Sequence, residues 1–287
     1  MTSPSSDTAS SAVASSGSAV LPAAVGVFGG GRMGAGIAHA FLAAGSDVTV
    51  IETSSETVEA ARSRIRRILD RAGTTREFTV TTDPSALTGC GLVVEAVPED
   101  AALKARVLAT VAAHAADAVL ATNTSSLSID SLAAGLADPS RLLGLHFFNP
   151  VPVSALVEIV VGARTSPELV AEARAWVETL GKTPITVHDT PGFASSRLGV
   201  HLALEAMRML EEGVASAADI DTAMTLGYRH PTGPLRTTDL VGLDVRLAIA
   251  EHLARELGPR FEPPAILREL VAAGHLGRKT GQGFFTW

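Results

Sequence analysis

The sequence predicts an α/β unit built on a doubly wound, parallel sheet and followed by a unit made only of helices. Three observations carry that reading. Short apolar runs alternate with helical patterns as far as about residue 188, a glycine-rich turn joins the first run to the first helix, and beyond Pro191 only helical patterns remain. At 287 residues the chain exceeds the ~100–200 typical of one domain, which agrees with two units.

The elements follow in order. Residues 1–22 are rich in Ser and Ala, with Asp7 as the only charge, a composition expected to leave a disordered tail. Ala24 to Phe28 reads as a strand, glycines 29–31 as a turn, and Met33 to Ala44, with Ile37, Phe41 and Leu42 at helical spacing, as a helix. A second strand, Asp47 to Ile51, is closed by Glu52, and a basic helix runs from about Ser55 to Arg71. Further strands are expected at Leu92–Val94, Val119–Thr122 and Leu142–Leu145, separated by a helix over Leu103–Ala113 and another starting near Ser128. After Pro152 come a strand over Leu156–Val161, a helix from Pro167 to Leu180 and a short strand, Ile185–Val187. The alternation up to Leu145 implies parallel strands with right-handed crossovers, and the first domain is expected over residues 23–190. The second domain, residues 191–287, carries helices at about 194–212, 216–226, 241–257 and 264–273, punctuated by Gly213, Gly227, Pro231-Thr232-Gly233-Pro234 and Pro263-Pro264.

Composition narrows the partners. Hydrophobic residues at 46% and charged residues at 18% exclude a disordered or collagen-like chain. A net charge of −7 gives no electrostatic reason to seek nucleic acid or an anionic membrane, and no apolar run reaches the ~18–20 residues that span a bilayer. A small molecule is the expected partner. The single cysteine, Cys90, excludes an internal disulfide and a cysteine zinc site and fits a reducing compartment, so a cytoplasmic protein is expected. The first basic residue is Arg32, which leaves the N-terminus without the charge pattern of a signal or transit peptide.

Gly29-Gly30-Gly31-Arg32-Met33-Gly34, set between a strand and a helix, matches the phosphate-binding turn of a Rossmann-type dinucleotide site. Gly29 permits the tight turn, Gly31 lets the backbone approach a pyrophosphate, and Gly34 allows close packing of helix on strand. Arg32 and Met33 open the helix whose amides face the phosphates. Glu52 ends the next strand, where a carboxylate accepts both ribose hydroxyls and repels a 2′-phosphate; with no Arg or Lys after it until Arg62, NAD is favoured over NADP.

Oxidising a secondary alcohol with a nicotinamide needs a base for the hydroxyl proton, and imidazole suits that near neutral pH. His146 ends a predicted strand, at the sheet edge where ligands of such folds bind. Glu158, beyond a reversal at Pro150 and Pro152, is placed to hold its tautomer. The plain reading of Asn123 to Ser126 is a polar turn capping the helix near Ser128, and Glu99 and Lys104, at i,i+5, are poorly spaced for a helical ion pair.

Several further motifs stand in register: Val93-Val94-Glu95-Ala96 with Glu99 and Lys104; Asn123-Thr124-Ser125-Ser126-Leu127; His146-Phe147-Phe148-Asn149-Pro150; Asp189-Thr190-Pro191-Gly192-Phe193; Asp219-Ile220-Asp221-Thr222-Ala223-Met224; Gly233-Pro234; and Gly277-Arg278-Lys279-Thr280-Gly281. From about Ala23 to Trp287 the chain resembles the 3-hydroxyacyl-CoA dehydrogenases, particularly the 3-hydroxybutyryl-CoA dehydrogenase branch. The resemblance implies an NAD-dependent enzyme of fatty acid metabolism that interconverts an (S)-3-hydroxyacyl-CoA and its 3-oxoacyl form, works as a homodimer and needs no metal. It makes His146 the general base and Glu158 its partner, gives Ser125 the hydrogen bond to the substrate oxygen, and sets Asn123 and Asn149 beside the nicotinamide. Glu99, Lys104 and Lys279 border the cofactor on the same reading. Apolar residues such as Leu198, Leu202 and Met209 suit either a dimer face or burial within one subunit.

Two departures stand out. Ser196 takes the place of the asparagine in the pattern Pro-Gly-Phe-x-x-Asn-Arg, so a short hydroxyl replaces the amide that contacts the thioester carbonyl. The stretch from Glu52 to Glu95 is shorter than in typical members, which carry a helical hairpin there that helps hold CoA; Arg62, Arg64, Arg66 and Arg67 are left either to meet phosphates or to face water. Other substrates stay open: a hydroxyacyl group on an acyl carrier protein, or a free hydroxy acid such as a sugar acid, as in the related gulonate dehydrogenases. An alternative of another class is a catalytically silent NAD-binding or structural protein; retention of His146 and Glu158 speaks against it.

Overall fold

Eight strands form one sheet in the order β3-β2-β1-β4-β5-β6-β7-β8 in the computed structural model, which describes residues 20–287. The strands are β1 (Ala24–Phe28), β2 (Asp47–Ile51), β3 (Thr79–Thr81), β4 (Leu92–Glu95), β5 (Val119–Thr122), β6 (Leu142–Phe147), β7 (Leu156–Val161) and β8 (Thr183–His188). Up to residue 19, the expected tail lies outside the described residues. Its last residues do not belong to it: Leu21 packs against the core and the Pro22 carbonyl accepts the Ser46 hydroxyl at 2.8 Å.

The first six strands are parallel, as alternation with helices requires, but β7 runs antiparallel to β6 and carries β8 with it. The parallel alternation expected from the sequence holds through β6, and the chain turns back at the reversal that Pro150 and Pro152 mark. Between β6 and β7 the chain turns back within a short loop instead of crossing over through a helix; the amides of Val153 and Ser154 close it on the Pro150 carbonyl at 3.1 and 3.0 Å. Only antiparallel neighbours permit so short a connection. Strand β3 went unpredicted because it has three residues, two of them threonines, at the sheet edge.

Helices cover both faces, which is why the central strands read as continuous apolar runs. On one side α1 (Arg32–Ala43) and α2 (Ser55–Arg71) pack Phe41 and Ile65 over Val25, Val27 and Val50, and α5 (Pro167–Thr179) brings Trp176 into the same core from above β7 and β8. On the other, α3 (Ala101–His114) and α4 (Ile129–Ala133) pack Leu108 and Leu132 over Val93 and Leu120. Ser54, Asp100, Ser128 and Ser166 each precede a helix and accept an amide from its first turn, so side-chain caps fix where α2, α3, α4 and α5 begin.

The C-terminal part comprises α6 (Ser195–Glu211), α7 (Ala217–Thr222), α8 (Pro234–Val241), α9 (Leu243–Leu257) and α10 (Ala265–Ala272) around its own core of Val200, Leu204, Met207, Leu243 and Leu253. The helix expected over 216–226 is α7 followed by a π turn, Ala223–Gly227. One correction concerns Pro231 to Pro234, read as punctuation alone. Pro234 opens α8 at a position that needs no amide, and the buried Asp221 carboxylate takes the amides of Leu235 and Arg236, both at 2.9 Å. The next helix then starts after Gly242, whose φ of 108° breaks the two apart. Asp239 on α8 pins the C-terminal segment by accepting the amides of Phe284 and Phe285 and the Trp287 indole. Among the described residues no helix is long and apolar enough to cross a membrane.

Candidate active site

The carboxyl ends of β1, β4, β5 and β6 meet on one edge of the sheet, and the candidate residues gather there. At the β1–α1 turn each glycine has its own reason. Gly29 holds a φ of 97°, and a Cβ on Gly34 would run into the Gly29 carbonyl oxygen. A Cβ on Gly31 would meet nothing within 4 Å, so that backbone faces open space. No side chain caps α1 and no acidic residue sits in its first turn, which leaves its amides available to an anion. These are the features a dinucleotide pyrophosphate needs. Glu52, at the end of β2, accepts the Gly30 amide through Oε1 at 2.6 Å and so fixes the turn against the second strand. Arg32 is exposed at the helix start, and Met33 lines the cleft described next.

That cleft has a volume of about 350 Å³ and is walled by Met33, Ala96, Val97, Glu99, Asn123, Ser125, His146, Phe148, Asn149 and, from the helical part, Val245. His146 and Glu158 are direct cross-strand partners, which places their side chains on one face of the sheet. The His146 Nδ1 lies 2.7 Å from Glu158 Oε2. An ionised carboxylate only accepts, so Nδ1 donates in this contact and Nε2 is the nitrogen that takes or gives a proton on the cleft side. Glu158 has no exposed surface; Oε1 accepts the amides of Ala194 and Ser195 at 3.2 and 2.8 Å, and Oε2 also accepts the Ser195 hydroxyl at 2.7 Å. Burial pushes this carboxyl up, but the hydrogen bonds from His146 and Ser195 outweigh it and hold it below the ordinary glutamate value. The rings of Phe148 and Phe193 flank the imidazole at 4.5 and 5.9 Å between centroids.

A second polar network supports the other wall. Glu99 Oε1 accepts from the Thr124 hydroxyl at 2.6 Å and from the Ser125 amide and hydroxyl at 2.9 and 3.3 Å. Burial raises the Glu99 carboxyl, yet Lys104 and these donors hold it below its usual range. Lys104 is 1% exposed; its Nζ lies 2.8 Å from Glu95 Oε1 and 3.3 Å from Glu99 Oε2, and donates to the Val97 carbonyl at 3.1 Å. The Thr122 hydroxyl completes the fully buried Glu95. Contrary to the spacing argument, Glu99 and Lys104 do pair. Glu99 precedes α3, whose cap is Asp100, so helical geometry does not separate them. Lys104 holds carboxylates together beneath the cleft and does not line it.

The other candidates scatter around this centre. Asn123 accepts the Phe147 amide at 2.9 Å, tying the end of β5 beside His146, and Asn149 stands exposed at the rim. Ser196 is half-buried and its hydroxyl makes no hydrogen bond to the described residues; its neighbour Ser195 makes the contact to Glu158. Lys279 lies outside the cleft wall, 2.6 Å from Asp244 at the start of α9, one residue from Val245. Leu198 is 72% exposed, whereas Met209 packs against the helical core. Sequence reasoning missed Ser195, which reads as an ordinary helix-start serine; of the arginines it left open, Arg64 donates to the Gly30 carbonyl at 3.4 Å. Arg62 and Arg66 are engaged by Glu59 and Glu77.

The comparisons with known proteins extend over both parts. The 3-hydroxyacyl-CoA dehydrogenase NAD binding domain matches residues 24–190, and the C-terminal domain of the same enzymes matches residues 192–287. The chain belongs to the 3-hydroxyacyl-CoA dehydrogenase family. It is an NAD-dependent oxidoreductase of that family. Within it, the 3-hydroxybutyryl-CoA dehydrogenase of Mycobacterium tuberculosis strain H37Rv is 43% identical over 279 residues, covering 92% of this chain and 98% of that protein. The mitochondrial hydroxyacyl-coenzyme A dehydrogenase of Sus scrofa is 37% identical over 299 residues, covering 97% and 95%. The crystal structure of (S)-3-hydroxybutyryl-CoA dehydrogenase from Ralstonia eutropha superposes with a TM-score of 0.88 at 38% identity, covering 93% of this dehydrogenase and 99% of that one.

Proposed function

We propose that this dehydrogenase interconverts (S)-3-hydroxybutyryl-CoA and its 3-oxo thioester, with His146 as the general base and Glu158 as its partner. The observation that carries the reading is the buried 2.7 Å contact between His146 Nδ1 and Glu158 Oε2, opening on the cleft that Ser125 and Asn149 share. In the oxidative direction Nε2 takes the proton of the C3 hydroxyl while Glu158 stabilises the imidazolium that forms. Bound NAD supplies the hydride acceptor. The Gly29–Gly34 turn and the uncapped start of α1 hold its pyrophosphate, and Glu52 its adenine ribose. Ser125, held through its amide by Glu99, turns its hydroxyl from Glu99 to donate to the substrate oxygen, and Asn123 and Asn149 border the nicotinamide. Lys279, with its partner Asp244, closes the outer rim. Ser196 faces the thioester side.

The enzyme acts in the cytoplasm, in the turnover of short fatty acyl thioesters, as a homodimer. The apolar side chains left in water on the packed helices α6 and α8, Leu198 and Val241, support a second copy there. The test is NAD reduction with (S)-3-hydroxybutyryl-CoA, the same acyl group on an acyl carrier protein, and free 3-hydroxybutyrate, side by side. The CoA thioester is expected to have the highest kcat/KM; preference for either of the others, or no reduction with any, contradicts the reading.

A further inference from the structure

We propose that Ser195 is a positioning residue for the acid–base pair: its hydroxyl donates to the same oxygen of Glu158 that holds the His146 Nδ1–H, and thereby sets how much of the carboxylate's charge bears on the imidazole. The inference rests on the roles proposed above for His146 and Glu158.

Both bonds to Oε2 are 2.7 Å long, and both are made where Glu158 has no exposed surface. The other oxygen, Oε1, is already taken by the amides of Ala194 and Ser195. Ala194, at the N-cap of α6, gives its helix no side-chain cap, so the first amides of α6 are spent on the carboxylate of a neighbouring strand. Everything that holds Glu158 apart from His146 is therefore backbone, except one hydroxyl. That hydroxyl stands at an x position of the pattern Pro-Gly-Phe-x-x-Asn-Arg, one residue before Ser196. Few other groups face the pair. Strand β8 sets Ile185 opposite Glu158, α6 contributes Ala194 and Ser195, Phe148 and Phe193 flank the imidazole, and Glu99 across the cleft is paired with Lys104.

A carboxylate oxygen shared between two donors divides its charge between them. With the hydroxyl removed, Oε2 turns wholly on the imidazole, which then keeps its proton to higher pH. Oxidation needs the neutral imidazole, so the acid limb of kcat/KM moves up. Reduction needs the imidazolium, so its alkaline limb moves up as well. A merely structural serine shifts neither limb when lost.

The test compares Ser195→Val with Ser195→Thr, two side chains of one shape that differ by the hydroxyl. The pH profiles of kcat/KM are measured with (S)-3-hydroxybutyryl-CoA and NAD, and in reverse with acetoacetyl-CoA and NADH. In Ser195→Val both limbs should rise by about half a pH unit with kcat lowered several-fold and the KM for NAD unchanged, and Ser195→Thr should restore the wild-type profile. Ser195→Ala carries the same expectation if the valine variant does not fold. Limbs that stay in place or move down in the hydroxyl-free variants, or that move equally in Ser195→Thr, overturn the inference while wild-type turnover leaves the dehydrogenase reading intact. Absence of wild-type turnover with any hydroxyacyl thioester overturns both.

Discussion

Glu158 shows how one side chain couples chemistry to stability. It accepts from His146, from the Ser195 hydroxyl and from two backbone amides, and an uncharged Gln keeps only one acceptor oxygen to satisfy them. Glu158→Gln is expected to lower kcat by roughly 10–10² and to lower Tm, since donors are left unpaired in a buried site. The folded carboxyl lies below its ordinary value, so the unfolded chain binds the proton more tightly. Its contribution to stability is thus present above the ordinary glutamate range and is lost as pH falls through the lowered value. Differential scanning fluorimetry should show the Tm gap between wild type and Glu158→Gln shrinking below about pH 5; a gap independent of pH counts against the assignment. Lys104 gives a second test. Lys104→Met leaves Glu95 fully buried without its cation, which should cost about 3–5 kcal/mol by denaturant unfolding. Unchanged stability with lost NADH affinity would restore Lys104 to the cofactor surface.

At the scale of elements, the β1–α1 turn separates folding from binding within six residues. A methyl group on Gly34 strikes the Gly29 carbonyl, so Gly34→Ala should destabilise the fold and abolish cofactor binding together. A methyl group on Gly31 meets no protein atom, and the φ of −61° there suits any residue. Gly31→Ala should keep the wild-type Tm and weaken NADH binding about tenfold or more, measured by fluorescence titration; unaltered affinity would mean that the pyrophosphate lies elsewhere. The elements themselves were legible where burial leaves a periodic trace. Strands buried on both faces gave apolar runs, and Pro150 with Pro152 announced the reversal that sets Glu158 opposite His146. What stayed hidden depends on partners far away in sequence. Helix α8 starts at a proline capped by Asp221, thirteen residues earlier than Pro234, and α7 gives way to a π turn that no periodicity marks.

At the scale of the molecule, the cleft forms where two folding units meet. The sheet supplies His146, Glu158, Ser125 and the glycine turn, while the helical part supplies Ser195, which closes on Glu158, and Val245, which walls the cleft. Sequence motifs named most of these residues, because strand ends bring them to one edge whatever the connections do. They did not reveal that Lys104 pairs with Glu95 or that the Ser195 hydroxyl reaches Glu158, since both contacts depend on three-dimensional partners outside any local pattern. The central claim, that His146 moves the proton, has a direct test in the turnover of His146→Gln with (S)-3-hydroxybutyryl-CoA and NAD, alongside NADH binding. The account predicts a kcat lowered by roughly 10²–10⁴ with NADH affinity nearly unchanged; turnover close to wild type would remove His146 from the mechanism.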